Sequence, residues 1–228
     1  MRWMSVLVAV AAAPCLMGAR EITPPSADAV IAELKVGNGH HVAKKYQHPN
    51  QTAARQRELA SGQHPHCALL TCADSRVAPE IVFDQGLGDV FDVRVAGNVA
   101  GDAETASLEY AAEHLHVPLI VVMGHSQCGA VTAALEGGAA PGKLPDLMAM
   151  MRPAVEQSAH ESGDRIANAV RDNVVLVVQQ LLAAKPVLAE LVETGKLRIV
   201  GAVYSLETGK VEWLAGAAGH ASGHSAAH

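Results

Sequence analysis

Residues 67–76 read CALLTCADSR, a short apolar run that is followed at once by a cysteine, an acid and a base. Further along the chain, residues 119–129 read LIVVMGHSQCG, a second apolar run that leads into a histidine and another cysteine. Continuous apolar runs of this length are typical of strands that are buried on both faces. The two stretches therefore predict parallel strands with polar residues directly after the strand ends.

Two further apolar runs, Val90 to Val95 and Leu197 to Tyr204, complete a set of four predicted strands. Residues 207–210, ETGK, predict the turn of a final hairpin. Helical patterns lie between and after the strands, at 102–116, where Asp102 is the expected N-cap, and at 165–182 and 186–194. Strands that alternate with helices favour an α/β fold with a central, mainly parallel β-sheet flanked by helices.

The region from Pro24 to Gln63 is polar and predicts an N-terminal helical arm, with helices near 27–35 and 52–60. It shows no alternation of polar and apolar residues, so no strand is expected there. The polarity of this arm is consistent with a face in contact with water.

Both ends of the chain differ from the expected catalytic domain, residues 20–215. Residues 1–19 combine Arg2, an apolar stretch and small residues, which is typical of an export signal. A retained helix and a lipid anchor through Cys15 are the alternatives. Residues 216–228 are small and polar, with three histidines spaced four apart, and predict a flexible tail or a weak metal-binding tract. We expect a periplasmic or secreted protein.

The composition limits the classes of partner. Half of the 228 residues are hydrophobic and 18% are charged, which is enough apolar material for a folded core. The net charge of −6 gives no basic footprint for nucleic acid. No apolar segment reaches the roughly 20 residues of a membrane-spanning helix, so no stable membrane insertion is expected. Small molecules and further copies of the chain are the expected partners.

Cys72, His125 and Cys128 stand directly after predicted strands. The carboxyl ends of parallel strands share one edge of the sheet, where ligands bind. Two thiolates and one imidazole are zinc ligands, and three protein ligands leave a fourth position open, as in catalytic sites. Each residue alone would be interpreted as part of the core, but their joint position favours a metal site. Cys67, at the start of a strand, is interpreted as a core residue.

The CADSR and HSQCG segments, and the chain from about Asp28 to Leu214, resemble the β-class carbonic anhydrases. Three shorter stretches agree with this resemblance: Gly62-Gln63, Asp89-Val90-Phe91 and Val93-Arg94-Val95-Ala96-Gly97-Asn98. The resemblance implies an enzyme that reversibly hydrates carbon dioxide to bicarbonate and a proton, by attack of zinc-bound hydroxide.

The resemblance also implies roles for particular residues. Cys72, His125 and Cys128 would bind zinc (Zn2+), and Asp74 and Arg76 would form a carboxylate–guanidinium dyad. A carboxylate next to zinc can become its fourth ligand and close the site. A fork-shaped pair with an arginine would hold the carboxylate away from the metal.

The resemblance further implies an open, constitutively active site. Gln63, Phe91 and Tyr110 would line the carbon dioxide pocket across a dimer contact, and Gly129 would contribute to substrate binding. A homodimer or a higher homo-oligomer is therefore expected. The polar N-terminal arm would then wrap the partner subunit, although its polarity fits a face in contact with water equally well.

Two other functions remain open from the sequence. The same fold and metal could hydrolyse carbon disulfide or carbonyl sulfide, although no pocket residue favours these substrates. The chain could also be a zinc-binding or zinc-buffering protein in which Asp74 closes the site and the histidine-rich tail collects metal.

Overall fold

The computed structural model describes residues 25–218, with side chains as far as residue 215. The expected export signal at 1–19 and residues 219–228 of the expected tail lie outside the described residues. The strands of the described part are β1 Cys67–Thr71, β2 Val90–Arg94, β3 Leu119–His125, β4 Arg198–Tyr204 and β5 Val211–Ala218. The α-helices are α1 Ala27–Ala43, α2 Ala53–Leu59, α3 Pro79–Val82, α4 Asp102–Glu113, α5 Gly129–Glu136, α6 Leu144–Ser158, α7 Arg165–Leu182 and α8 Val187–Glu193.

One five-stranded sheet organises the chain, in the order β2-β1-β3-β4-β5. The first four strands are parallel, and β5 returns antiparallel to β4. The predicted α/β fold with a mainly parallel sheet is therefore confirmed. Thr71 at the end of β1 pairs with Arg94 of β2 and with Met123 of β3, so these strand ends lie at the same edge of the sheet.

Both faces of the sheet are covered. One face packs against α4, α7 and α8, and the other packs against α1 and α3. As a result, β1 and β3 are buried at every position. Burial on both faces explains why these strands are continuously apolar in sequence rather than alternating.

The N-terminal region is helical, as predicted, but α1 belongs to the core of its own chain. The helix begins after Ser26, whose side chain accepts a hydrogen bond from the backbone N–H of Ala29. Val30 and Leu34 are buried against the sheet. In contrast, α2 has no buried residue. Of the two helices of the predicted arm, only α2 is accessible to solvent along its whole length.

Several boundaries differ from the prediction. Helix α4 is capped by Gly101 rather than Asp102, and the Glu104 carboxylate accepts a hydrogen bond from the Gly101 N–H. Helices α3 and α6 were not predicted. Strand β5 continues to Ala218, three residues past the expected end of the catalytic domain.

Across residues 25–218, no single helix has both the length and the apolar composition needed to cross a membrane. Only α7 and α8 taken together, with a bend of 87° between them, meet that test.

Candidate metal centre and active site

Three side chains from separate parts of the chain meet at the carboxyl edge of the sheet. Cys72 follows β1, His125 ends β3, and Cys128 is the N-cap of α5. Their ligand atoms all lie within 4.8 Å of one another, and the two sulfur atoms are 4.0 Å apart. All three residues are buried. The structure therefore brings the three predicted ligands together, and no other described part of the chain holds such a group.

One ring nitrogen of His125 is held by a hydrogen bond, and the other is available to bind a metal ion. Its Nδ1 donates a hydrogen bond to the carbonyl oxygen of Ser126 at 2.9 Å, and its Nε2 is buried without a hydrogen-bond partner among the described residues. A buried polar atom without a partner is costly. One nitrogen and two sulfurs form a donor set that suits zinc, so the residues present fit the metal that the sequence predicted.

The two thiols titrate as a pair. The hydrogen bond between the sulfurs lowers the pKa of Cys72 and raises the pKa of Cys128. The backbone N–H of Gly97 also donates to the Cys72 sulfur, at 3.3 Å. Because thiolates rather than thiols bind metals, binding of a divalent cation would displace the proton that this hydrogen bond shares.

Asp74 and Arg76 form the predicted dyad. The Arg76 Nε donates to Oδ1 of Asp74 at 2.9 Å, and its Nη2 donates to Oδ2 at 2.7 Å. These hydrogen bonds keep the pKa of the Asp74 carboxyl well below its usual range. Oδ2 also lies 3.8 Å from the His125 Nε2. A charged carboxylate thus borders the metal ligands while an arginine holds both of its oxygens.

Arg94 supports the loop that follows β1, a role that the sequence analysis missed. Its guanidinium donates to the carbonyl oxygens of Cys72 and Asp74, at 3.1 and 2.8 Å, and also to that of Val77. It therefore fixes the loop that carries both a metal ligand and the dyad carboxylate. The sequence placed Arg94 at the end of a strand, but only the pairing of Arg94 with Thr71 shows which loop it reaches.

An apolar pocket of about 340 Å³ lies against α5, the helix that begins directly after Cys128. Gly129, directly after Cys128, lines it, and a Cβ on Gly129 would meet no atom within 4 Å. The remaining lining residues come mostly from α5 and α6 and are alanine, glycine, leucine and methionine, with Glu136 as the charged exception. A larger cleft of about 650 Å³ lies at the amino edge of the sheet, beside Arg198, away from the metal ligands.

The other predicted pocket residues lie elsewhere in the single chain. Phe91 and Tyr110 contact each other, with ring centroids 6.1 Å apart, and Gln63 is exposed after α2. Phe91 pairs with Ala68, four residues before Cys72, which corresponds to about 13 Å along the strand. The aromatic pair is therefore remote from the metal ligands of its own chain.

Comparisons with known proteins agree with this site. Residues 67–211 match the carbonic anhydrase family. The chain is 42% identical over 181 residues to carbonic anhydrase 2 of Mycobacterium tuberculosis, which covers 78% of this chain and 87% of that protein.

Two solved structures share the fold. The β-carbonic anhydrase CcaA superposes with a TM-score of 0.65 at 28% identity, over 83% of this chain and 95% of that one. A tetrameric β-carbonic anhydrase of Sordaria macrospora gives the same TM-score at 26% identity, over 82% and 97%. The family match spans all three metal ligands and the dyad, and on this ground the chain belongs to the β-class carbonic anhydrases, the enzymes that hydrate carbon dioxide.

Proposed function

We propose that this carbonic anhydrase works with zinc held by Cys72, His125 and Cys128 in an open site. The observation that carries the proposal is the buried, unpaired Nε2 of His125, which lies beside two buried sulfurs. When bound there, zinc supplies a Lewis acid that lowers the pKa of a coordinated water towards neutrality.

The dyad supports an open site. Arg76 engages both oxygens of Asp74, so the carboxylate is held back from the three ligand atoms. Because Asp74 stays ionised, its Oδ2 can accept a hydrogen bond from the attacking water. That bond would orient the remaining lone pair of the water oxygen towards the substrate. Arg94 maintains this geometry by fixing the backbone of the same loop.

The apolar pocket beside Gly129 suits carbon dioxide, which is small and uncharged. Bicarbonate is an anion and gains nothing from alanine and methionine side chains. Glu136 at the same pocket further disfavours an anion. The pocket thus favours the substrate of hydration over its product.

We further propose that the active unit is a dimer in which the partner subunit supplies Gln63, Phe91 and Tyr110 to the pocket. The distance of about 13 Å along the strand between Phe91 and Cys72 of one chain supports this arrangement. Tyr110 is 47% exposed in the single chain, so it is accessible to a second copy.

We also propose that the protein is exported and that residues 1–19 are removed. The positively charged start followed by a short apolar stretch supports this proposal. Mass spectrometry of the intact protein from separated cell fractions tests it. A full-length chain confined to the cytoplasm would contradict it.

The metal assignment is tested with the substitution Cys128→Ala. We expect this variant to lose zinc and carbon dioxide hydration together, because one of three ligands is gone. Metal content is measured by atomic emission, and activity by stopped-flow hydration near pH 8. The matched control is Cys67→Ala, which removes a buried cysteine outside the metal group and should retain both zinc and activity. A Cys128→Ala protein with full zinc and activity would exclude the proposed site, and hydrolysis of carbonyl sulfide without hydration would exclude the proposed substrate.

A further inference from the structure

Ser126 connects a metal ligand to the β4–β5 hairpin. Its carbonyl oxygen accepts the hydrogen bond from Nδ1 of His125 at 2.9 Å. Its N–H donates to the carbonyl oxygen of Tyr204, and its side-chain Oγ accepts from the N–H of Leu206, both at 2.9 Å. Backbone and side chain of Ser126 are thus both attached to the neighbouring strand and its turn.

The carbonyl of Ser126 decides which nitrogen of His125 carries the proton. A carbonyl oxygen only accepts hydrogen bonds, so Nδ1 must be the protonated nitrogen and Nε2 keeps its lone pair. His125 is completely buried, so bulk water offers no alternative partner. The lone pair of Nε2 therefore remains directed at the group that holds the two sulfurs.

Regular strand pairing does not extend past Ser126. The next residue, Gln127, has a φ of 52°, so the backbone turns sharply at this point. The bond between Ser126 Oγ and the Leu206 N–H therefore adds a second attachment beside that of the Ser126 N–H to Tyr204, and it is the one made by the side chain.

The hairpin that holds Ser126 is itself fixed by α1. The buried Asn38 donates from Nδ2 to the carbonyl oxygen of Gly209 at 2.9 Å, and its Oδ1 accepts from the N–H of Val211 at 3.0 Å. The turn is therefore a firm anchor rather than a free loop, and the hydrogen bonds continue from α1 through the turn to Ser126.

We infer that Ser126 is a positioning residue for the metal centre: its Oγ, bound to Leu206, aims its carbonyl at Nδ1 of His125 and thereby selects the imidazole tautomer that can bind a cation. This inference rests on the proposed role of His125 as a metal ligand. Removing the hydrogen-bond partner of a metal-binding histidine typically lowers metal affinity by about 10- to 100-fold.

The test compares three variants. Ser126→Ala removes the Oγ acceptor, and Ser126→Thr retains one. Ser205→Ala is the matched control, because it removes another hydroxyl–amide bond of the same turn, to the N–H of Thr208, without touching Ser126. We expect Ser126→Ala to bind zinc at least about tenfold more weakly in a chelator competition, with the other two close to wild type.

A second measurement reads the tautomer directly and does not depend on activity. Nitrogen NMR of the zinc-free protein should show His125 protonated at Nδ1 in the wild type and a mixture of tautomers in Ser126→Ala. Unchanged zinc affinity in Ser126→Ala, or an equal loss in Ser205→Ala, would overturn the inference. If Ser126→Ala does not fold, a wild-type protein protonated at Nε2 would overturn it. Failure of the wild type to bind zinc would instead refute the proposed function.

Discussion

Arg76 holds the carboxylate of Asp74 beside the candidate metal ligands. Two guanidinium nitrogens hold the two carboxylate oxygens, and Oδ2 is 3.8 Å from Nε2 of His125. A carboxylate released at that distance can reach a cation held by His125. The guanidinium is half exposed, so this ion pair adds little to the stability of the fold. Its effect is to fix the position of the Asp74 carboxylate.

We therefore expect Arg76→Ala to retain zinc but to lose carbon dioxide hydration by about a hundredfold, because Asp74 can then occupy the open position and the attacking water is displaced. Stopped-flow hydration and metal analysis on the same sample measure both quantities. Arg171→Ala is the control, since it breaks another bidentate arginine–carboxylate pair, with Glu212, far along the chain. Normal hydration by Arg76→Ala would show that the dyad does not keep the site open.

Helix α1 places a buried histidine between two tyrosines. The His41 Nε2 lies 3.0 Å from the Tyr204 hydroxyl, and its Nδ1 lies 2.9 Å from the Tyr46 hydroxyl. Burial, with Lys44 nearby, lowers the pKa of His41 below its ordinary value of 6.5. The neutral form is therefore favoured in the folded state, whereas the unfolded chain takes up a proton at the ordinary pKa.

The sign of the pH effect follows from this difference. Protonation of His41 favours unfolding, so its contribution to stability is present above about pH 6.5 and is lost as the pH falls below that value. We expect the free energy of unfolding to drop more between about pH 7.5 and about pH 5.5 in the wild type than in His41→Gln. Urea unfolding at one fixed protein concentration measures it. The exposed His64, substituted as His64→Gln, should follow the wild type, and parallel curves for wild type and His41→Gln would contradict the expectation.

The sequence predicted the strands better than the helices. β1 and β3 are apolar at nearly every position because both of their faces are covered, and this signal does not depend on distant contacts. Helix α6 was missed because Pro145 and Pro153 interrupt its pattern, yet the first lies in the opening turn, where proline is tolerated. The packing of α1 was missed because its buried face includes the polar residues Asn38 and His41, each of which has a hydrogen-bond partner more than 160 residues away.

In the candidate site, too, features that depend on the local sequence could be predicted, and features that depend on distant contacts could not. The proximity of Cys72, His125 and Cys128 and the pairing of Asp74 with Arg76 could be predicted because these residues occupy two short segments that follow strands. The roles of Arg94 and Ser126 could not, because each depends on the register between strands, which no local pattern records. Residues that bond through side-chain oxygens or guanidinium groups to a distant backbone give no periodic signal in the sequence.

At the scale of the whole molecule, the register of β1 and β2 separates the proposed pocket residue Phe91 from the candidate metal ligands. Phe91 pairs with Ala68, whereas the metal ligands begin at Cys72, beyond the end of the same strand. Phe91 packs beside Tyr110 of α4, with the two ring centroids 6.1 Å apart, so the two rings form one aromatic surface. We therefore expect these rings to line the pocket of another copy, because a shift by four residues would break the register that pairs β2 with the buried β1.

Complementation between two inactive variants tests this arrangement. One chain carries Cys128→Ala and keeps its aromatic residues, and the other carries Phe91→Ala and Tyr110→Ala and keeps its metal ligands. Each variant alone should be nearly inactive. In a mixed dimer, one of the two metal sites meets intact aromatic rings of the partner. Random pairing of the co-expressed chains makes about half of the dimers mixed, so hydration should recover to about a quarter of the wild-type rate per chain. Co-expression of Cys128→Ala with His125→Ala is the control and should recover nothing, because both chains lack a metal ligand. Absence of recovery in the first mixture, with mixed dimers verified by native mass spectrometry, would place the aromatic pair outside the partner's pocket.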